Sequence, residues 1–351
     1  MMYSLRTWLL LLACCSTLIP AYTQHAQLEY LKKHPNVTWM ASFEGQYSFN
    51  PTEAGPDRTI LTKFYQDPST PIEPNLRNYI LVKLFLEAME GNLPCYKDAE
   101  LTQLLPVEQL RAMAIRTDTI TTINPQTYES NTQVVQLEWN PADVHSLATH
   151  SVIYYDRSTT NYHTKVLAVS LLGLDNLGGN SVPAFWIKID DTFPKKFSMH
   201  DANITWGGIV MTTQLTNLRT DYLKELKNTD NHELTQRLYE QALMSDKRVE
   251  SSAGYGQGEW LDKLAVLETY RPVVDTIITY DPLTYEEMVH VRTDNIEPQS
   301  ISEIRLVQEW YYDDKRKTLF QRLRALAPMV EVKDKGGSYV YKRPLHYIRY
   351  D

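Results

Sequence analysis

Tyr154-Tyr155-Asp156 and Tyr311-Tyr312-Asp313 stand 157 residues apart, and the basic residues that follow them, Lys165 and Arg322, keep the same interval. In both places a polar segment precedes the basic residue and an apolar run follows it. This gapless match constrains the chain more than any other feature. Duplication gives one structural unit twice, and a recurring unit points to assembly surfaces more than to a single active site. Two shorter matches lie upstream in the same order. Leu84-Phe85-Leu86-Glu87-Ala88-Met89 resembles Leu238-Tyr239-Glu240-Gln241-Ala242-Leu243, 154 residues later. Leu105-Pro106-Val107-Glu108-Gln109-Leu110 fits Leu283-Thr284-Tyr285-Glu286-Glu287-Met288 at an interval of 178, which implies a connection 21 residues longer in the first copy.

A chain of 351 residues can bury two ordinary cores. Residues 78–90 predict a helix, with Leu81, Leu84, Phe85 and Ala88 on one face and Gly91-Asn92 ending it. Residues 106–113, 232–246 and 260–268 predict further helices. Residues 152–155, 166–172, 184–189, 276–280 and 306–312 read as strands. Residues 114–140 read as strand or loop. The stretch 318–327 stays open: the first copy suggests a strand, its own residues a helix. The reading is therefore α+β: two related tandem units, each with helices packed on a small mixed or antiparallel sheet, preceded by a Pro-rich extended arm. The expected boundaries are a signal peptide at 1–23, the arm at 24–75, a first unit at 76–190, a connector at 191–230, and a second unit with a C-terminal tail at 231–351.

The N-terminus reads as an export signal. Arg6 precedes an apolar segment that starts at Trp8 and fades by Ile19-Pro20, too short to cross a bilayer as a helix. Cleavage after Thr23 would release a chain starting at Gln24. Leu11-Leu12-Ala13-Cys14 is a competing lipobox, which would leave Cys14 lipidated. With the signal removed, Cys95 is the one cysteine left of three, so no internal disulfide can form. This suits a bacterial envelope protein. Asn36-Val37-Thr38 and Asn203-Ile204-Thr205 match glycosylation sequons, which a chain of this length also contains by chance. The net charge of −8 argues against non-specific nucleic-acid binding. The 23 tyrosines suit protein interfaces or glycan binding equally.

No catalytic pattern stands out. His145 and His150 are five apart, the wrong interval for a metal pair on a helix face. Gly254-Tyr255-Gly256-Gln257-Gly258 lacks the Lys and Ser/Thr of a phosphate loop. Cys95 has no catalytic surround, and the neighbouring pairs Asp190-Asp191 and Asp313-Asp314 would point to opposite faces of a strand. No cofactor, metal or catalytic residue is assigned, and the chain is read as a non-enzyme. The most distinctive segment is Glu309-Trp310-Tyr311-Tyr312-Asp313-Asp314-Lys315-Arg316-Lys317, an aromatic strand running into a cationic turn. Trp, Tyr and Arg dominate interface hot spots. The candidate partner-binding residues are accordingly Trp310, Tyr312, Lys315, Arg316 and Lys317, with Trp186 of the mid-chain aromatic strand.

That segment, with Leu323-Arg324-Ala325-Leu326-Ala327-Pro328-Met329, resembles the late signature of the PorN/GldN family of the type IX secretion and gliding machinery of Bacteroidota. Residues 81–91 resemble its early helix, and Pro183-Ala184-Phe185-Trp186-Ile187 its mid-chain strand. The resemblance spans roughly residues 75–335. Ile153 stands where the second copy has Trp310, and the lipobox is a further departure, because the family expects the lipid on its partner. The resemblance implies a non-enzymatic periplasmic subunit, peripheral to the outer membrane. Such a subunit self-associates in a ring with a PorK-like outer-membrane lipoprotein and contacts a PorM-like shaft protein. An exported glycan-binding or glycan-active envelope protein is the alternative.

Overall fold

Strands, more than helices, carry the duplication. The computed structural model describes residues 28, 30–48, 58–61, 79–141, 144, 146–173, 183–189, 201–215, 231–271, 273–294, 296–333 and 338–350, apart from 142–143 and 145. The chain order is β1 (Val37–Ser48), β2 (Arg58–Leu61), α1 (Tyr79–Glu90), β3 (Cys95–Tyr96), β4 (Leu104–Leu105), α2 (Val107–Met113), β5 (Ile115–Ile123), β6 (Ser130–Glu138), β7 (Ser146–Asp156), β8 (Asn161–Leu172) and β9 (Trp186–Lys188). It continues with β10 (Ile204–Leu215), α3 (Asn231–Ala242), β11 (Arg248–Ser251), β12 (Trp260–Leu261), α4 (Lys263–Thr269), β13 (Val273–Tyr280), β14 (Glu287–Asp294), β15 (Glu303–Asp313), β16 (Thr318–Lys333), β17 (Tyr339–Pro344) and β18 (His346–Arg349).

Two antiparallel sheets hold most of these strands. The first runs β1-β7-β8-β9-β3-β4 and the second β12-β11-β18-β16-β15-β10-β2. Reading β10, β15, β16, β18, β11 and β12 in turn reproduces the order of the first sheet. The registers repeat as well. The β7–β8 ladder bulges between His150 and Ser151, and the β15–β16 ladder between Val307 and Gln308, 157 residues on. The β1–β7 ladder is irregular between Val37 and Trp39, and the β10–β15 ladder between Ile204 and Trp206. A bulge bends a strand at one position, so matching bulges mean the two sheets curve alike.

The Tyr-Tyr-Asp tripeptide ends each long strand because its Asp folds the turn. Asp156 Oδ1 accepts from Ser158 N, and Asp313 Oδ1 accepts from Lys315 N and Arg316 N. Thr160 and Lys317 close these turns in the left-handed region, at φ 54° and 52°. Arg157 N donates to Asn36 O, and Asp314 N to Asn203 O. The two Asn-x-Thr-Trp stretches, read as chance sequons, therefore open equivalent first strands at an interval of 167.

The helices α1 and α3 match at the expected 154. Ile80, Leu81, Leu84, Glu87 and Ala88 are buried, as are Leu234, Thr235, Leu238, Gln241 and Ala242. Buried residues at i, i+1, i+4, i+7 and i+8 make one stripe on each helix, apolar at i, i+4 and i+8 in both. Gly91, at φ 85°, ends α1 where a side chain would be strained.

Each unit completes the other's core. One cluster joins α1 and the first sheet to Trp206, Val210, Trp310, Tyr312 and Leu319 of the second unit. The other joins α3 and the second sheet to Trp39, Phe43, Ile153, Tyr155 and Tyr162 of the first. The tripeptide ends of each sheet thus pack beneath the other unit's helix.

Several expectations change. The sheets are large, so the chain is more strand-rich than helices on a small sheet. β1 lies in the stretch read as an arm, and β10 in the stretch read as a connector; both are long strands with Trp at a buried position. The remainder of the arm and connector, and the signal segment with Cys14, lie outside the described residues apart from a helical turn at 30–33 and β2. Residues 318–333 are strand: pairing with β15 along its whole length overrides their helix propensity. Residues 114–140 contain a hairpin, and its mate is β13–β14. Asn124-Pro125 and Thr127-Tyr128-Glu129 match Asp281-Pro282 and Thr284-Tyr285-Glu286 at 157. The interval of 178 and the longer first connection are therefore incorrect. A short common string had matched two different elements.

Candidate assembly surfaces

The aromatic-cationic segment at 309–317 divides into three. Trp310 and Tyr312 are 2% and 0% exposed, in the core shared by the two units. Burial pushes the Tyr312 phenol well above its ordinary value. Lys315 and Arg316 stand in solvent at the turn, where the Arg316 guanidinium lies 5.7 Å from the Phe320 ring centre. Lys317 turns inward. Trp186 is buried on the first sheet with Tyr96, Ala99, Leu101 and Ala168. Of the six candidates, Lys315 and Arg316 therefore offer the most side chain to a partner.

Lys317 reaches α1. Its Nζ lies 2.7 Å from Glu87 and 3.2 Å from Asp314, and Lys83 lies 3.0 Å and 2.9 Å from the same two carboxylates. Asn92 Nδ2 donates to the second Glu87 oxygen at 2.7 Å. Burial alone would raise the Glu87 carboxyl; the hydrogen bonds from Lys317, Asn92 and Lys83 outweigh it and hold the group below its ordinary value. Asp314 is held down chiefly by Lys83. Lys83 is held up chiefly by Asp314, and Lys317 by Glu87.

The equivalent junction on the other side puts a neutral amide where the first has the Glu87 carboxylate. Gln241, the counterpart of Glu87, donates to Thr160 O at 2.6 Å and accepts from the Tyr350 hydroxyl at 2.7 Å. Thr160 is the counterpart of Lys317. Lys247 adds bonds to Thr160 Oγ1 at 3.1 Å and Asn161 Oδ1 at 2.6 Å. Between the junctions, Tyr47 donates to Gln308 Oε1 at 3.1 Å, and Gln308 Nε2 donates to Thr164 at 3.3 Å.

A cleft of about 440 Å³ opens where β8 meets β16. Tyr154, Asn161, Tyr162, His163, Lys165, Gln321, Arg322 and Tyr350 are among its walls. Lys165 and Arg322, matched in sequence, come together here. The Tyr162 hydroxyl and both amide atoms of Gln321 are buried without a hydrogen-bond partner. Such groups are satisfied by water or by a polar ligand.

The hairpins β5–β6 and β13–β14 pair within themselves and join neither large sheet. At about 3.4 Å per residue, the nine-residue strands of the first extend for roughly 30 Å. Their loops are built alike. Asn124 Oδ1 accepts from Gln126 N and Thr127 N, and Asp281 Oδ1 from Leu283 N and Thr284 N. Tyr128 and Tyr285 follow at φ 56° and 58°, 83% and 80% exposed. Sequence reading missed these ribbons as a pair. The shared Pro-x-Thr-Tyr-Glu string was the signal that marks them.

The described residues contain no group of three or more His, Cys, Asp or Glu placed to hold a metal ion. Burial pushes the Cys95 thiol up to about 12, so it stays protonated and weakly nucleophilic near neutral pH.

A family model described as gliding motility associated protein GldN matches the chain twice, over residues 64–207 and again over 205–351. The change from one match to the next falls inside β10. No curated protein and no solved structure matches.

Proposed function

The chain belongs to the GldN family of gliding motility associated proteins, and from that premise we propose that it is a structural subunit of a periplasmic protein-secretion and gliding machine. The repeated family match is the observation that carries this reading. In it, the subunit assembles as a ring with a PorK-like outer-membrane lipoprotein, contacts a PorM-like shaft protein, and performs no catalysis. Residues 1–23 direct export, and the mature chain carries no lipid. Lys315 and Arg316 contribute to one contact of the assembly. The fused pair of units supports the reading physically, since equivalent surfaces on one chain can engage two neighbours at once.

Affinity purification of the chain from envelope fractions tests it. An outer-membrane lipoprotein should co-purify, and electron microscopy should show closed particles. A monodisperse chain without a lipoprotein partner sinks the proposal. Mass spectrometry of the mature N-terminus decides the lipid question, because a diacylated Cys14 contradicts it.

The cleft between β8 and β16 favours a second reading, a binding site for a small saccharide. Tyr154 and Tyr350 line it with half-buried rings, and the amide of Gln321 is buried behind them without a hydrogen-bond partner. Titration with acidic and neutral monosaccharides, followed by NMR, tests this; unperturbed signals from residues 161–165 and 321–323 refute it.

A further inference from the structure

The two hairpins share a loop but not a surface. On β5–β6, Thr121 faces Thr132 across the ladder with hydroxyls 3.1 Å apart, and Ile123 faces Ser130. At the matching positions of β13–β14, Ile278 faces Val289 and Tyr280 faces Glu287. Ile278, Val289 and Tyr280 are 52%, 58% and 64% exposed, and the loop adds Leu283 at 89% and Tyr285 at 80%. The second unit therefore holds contiguous apolar side chains in solvent where the first has a Thr–Thr rung; the first ribbon's exposed apolar residues, Ile123 at 64% and Val134 at 71%, lie apart from that rung's hydroxyl pair. Contiguous exposed apolar surface of this kind marks a contact site. A ribbon that no other described strand joins also invites strand addition.

Charge selects the occupant. Residues 273–294 carry Asp275, Asp281, Glu286, Glu287 and Asp294 against Arg292, a net charge of −4. Residues 115–138 carry Asp118, Glu129 and Glu138 against Arg116, a net charge of −2. The hairpins thus hold −6 of the chain's −8. A second copy's hairpin would bring like charges together, and nucleic acid or an anionic lipid surface would be repelled. An apolar ribbon rimmed by carboxylates fits a basic protein surface with an apolar groove or strand edge.

We propose that the hairpin β13–β14 is a docking arm for a cationic protein partner, with Tyr285, Tyr280 and the Ile278–Val289 pair as its apolar anchors and the flanking carboxylates setting its specificity. This deepens the assembly reading and rests on it. The left-handed Tyr285 presents its ring at the ribbon's end, and a large aromatic there supplies contact area at low entropic cost.

The test is photo-cross-linking in cells of the native host, with the full chain carrying Tyr285→p-benzoylphenylalanine. The expected result is one discrete adduct with a different protein, whose cross-linked peptide, identified by mass spectrometry, carries net positive charge. A Glu286→Lys/Glu287→Lys background should reduce that adduct at least tenfold while circular dichroism and the thermal midpoint stay unchanged. No adduct, an adduct with another copy of this chain or with lipid, a peptide without net positive charge, or an adduct insensitive to the charge reversal overturns the proposal. Affinity purification of the same strain separates the two readings. If the chain still co-purifies with an outer-membrane lipoprotein while position 285 stays silent, the arm fails and the assembly reading survives. If neither is seen, both fail.

Discussion

The two junctions between the units occupy equivalent places and are held by different chemistry. Where α1 meets the turn after β15, Glu87 is ringed by Lys83, Lys317 and Asn92, with Asp314 closing the network. Where α3 meets the turn after β7, Gln241 bonds a backbone carbonyl and a tyrosine hydroxyl. One fold accepts both because the geometry needs only a long polar side chain on the helix that reaches the turn. The outer faces differ in the same way. Met40, Val152 and Leu167 of the first sheet lie under Leu28 and Leu31. At the matching places the second sheet has Gly207, Glu309 and Arg324, and Glu309 pairs with Arg322 and Arg324. Duplication preserved register and bulges; the contacts diverged wherever one copy gained a neighbour the other lacks.

The largest effect should come from separating the units. Residues 201–350 alone lose Trp39, Phe43, Tyr155 and Tyr162 from their core. We expect this fragment to lack a cooperative thermal transition, and co-expression with residues 28–200 to restore one. A fragment that melts cooperatively by itself breaks the shared-core description.

Single truncations in the shared cores come next. Trp310→Ala should cost roughly 3–5 kcal/mol, and its counterpart Ile153→Ala less, because fewer buried atoms are removed. Denaturant titration checks the order. If Ile153→Ala costs as much, the aromatic does not distinguish the two packings.

The junctions themselves should separate by a smaller margin and by pH. Glu87→Ala leaves Lys83 and Lys317 to share Asp314 alone and should cost about 2–3 kcal/mol, against about 1–1.5 kcal/mol for Gln241→Ala. The folded Glu87 and Asp314 carboxyls lie below their ordinary values. Their contribution is complete above the unfolded value of roughly 4 and is lost as pH falls through the lower folded values. Lys83 and Lys317 lie above theirs. Their contribution is complete below roughly 10.4 and is lost as pH rises through the raised values. Stability measured against pH should therefore show Glu87→Gln converging on the wild type in acid. Gln241→Ala should differ from the wild type by a constant amount over the same acid range; convergence there contradicts the neutral assignment.

The smallest effect is expected at the hairpin loops. Tyr128→Gly and Tyr285→Gly relieve a left-handed side chain and should each stabilise by up to about 1 kcal/mol, equally in both units. A loss at either tip means its ring packs on something within the chain.

Much of this architecture was legible in the residues. The interval of 157 located both strand pairs and their turns, because an Asp that accepts from the groups of its own turn needs no distant partner to act. The stripes of α1 and α3 were legible for the same reason: their spacing is a property of the helix. The family resemblance rested on these local strings. Residues 318–333 were not legible, since helix propensity is weaker than a full ladder with β15. Nor was the fate of Trp310 and Tyr312, whose aromatic character suits an interface or a core equally. Periodicity tells that one side of a strand is apolar, but it does not tell what covers it. That Trp310 lies beneath the other unit's helix, that Lys317 reaches back 230 residues to Glu87, and that the two Pro-x-Thr-Tyr-Glu loops stand clear of both sheets depend on contacts between segments far apart in the chain. Only the packed tertiary structure decides those, because burial and ion pairing are set by which surfaces meet.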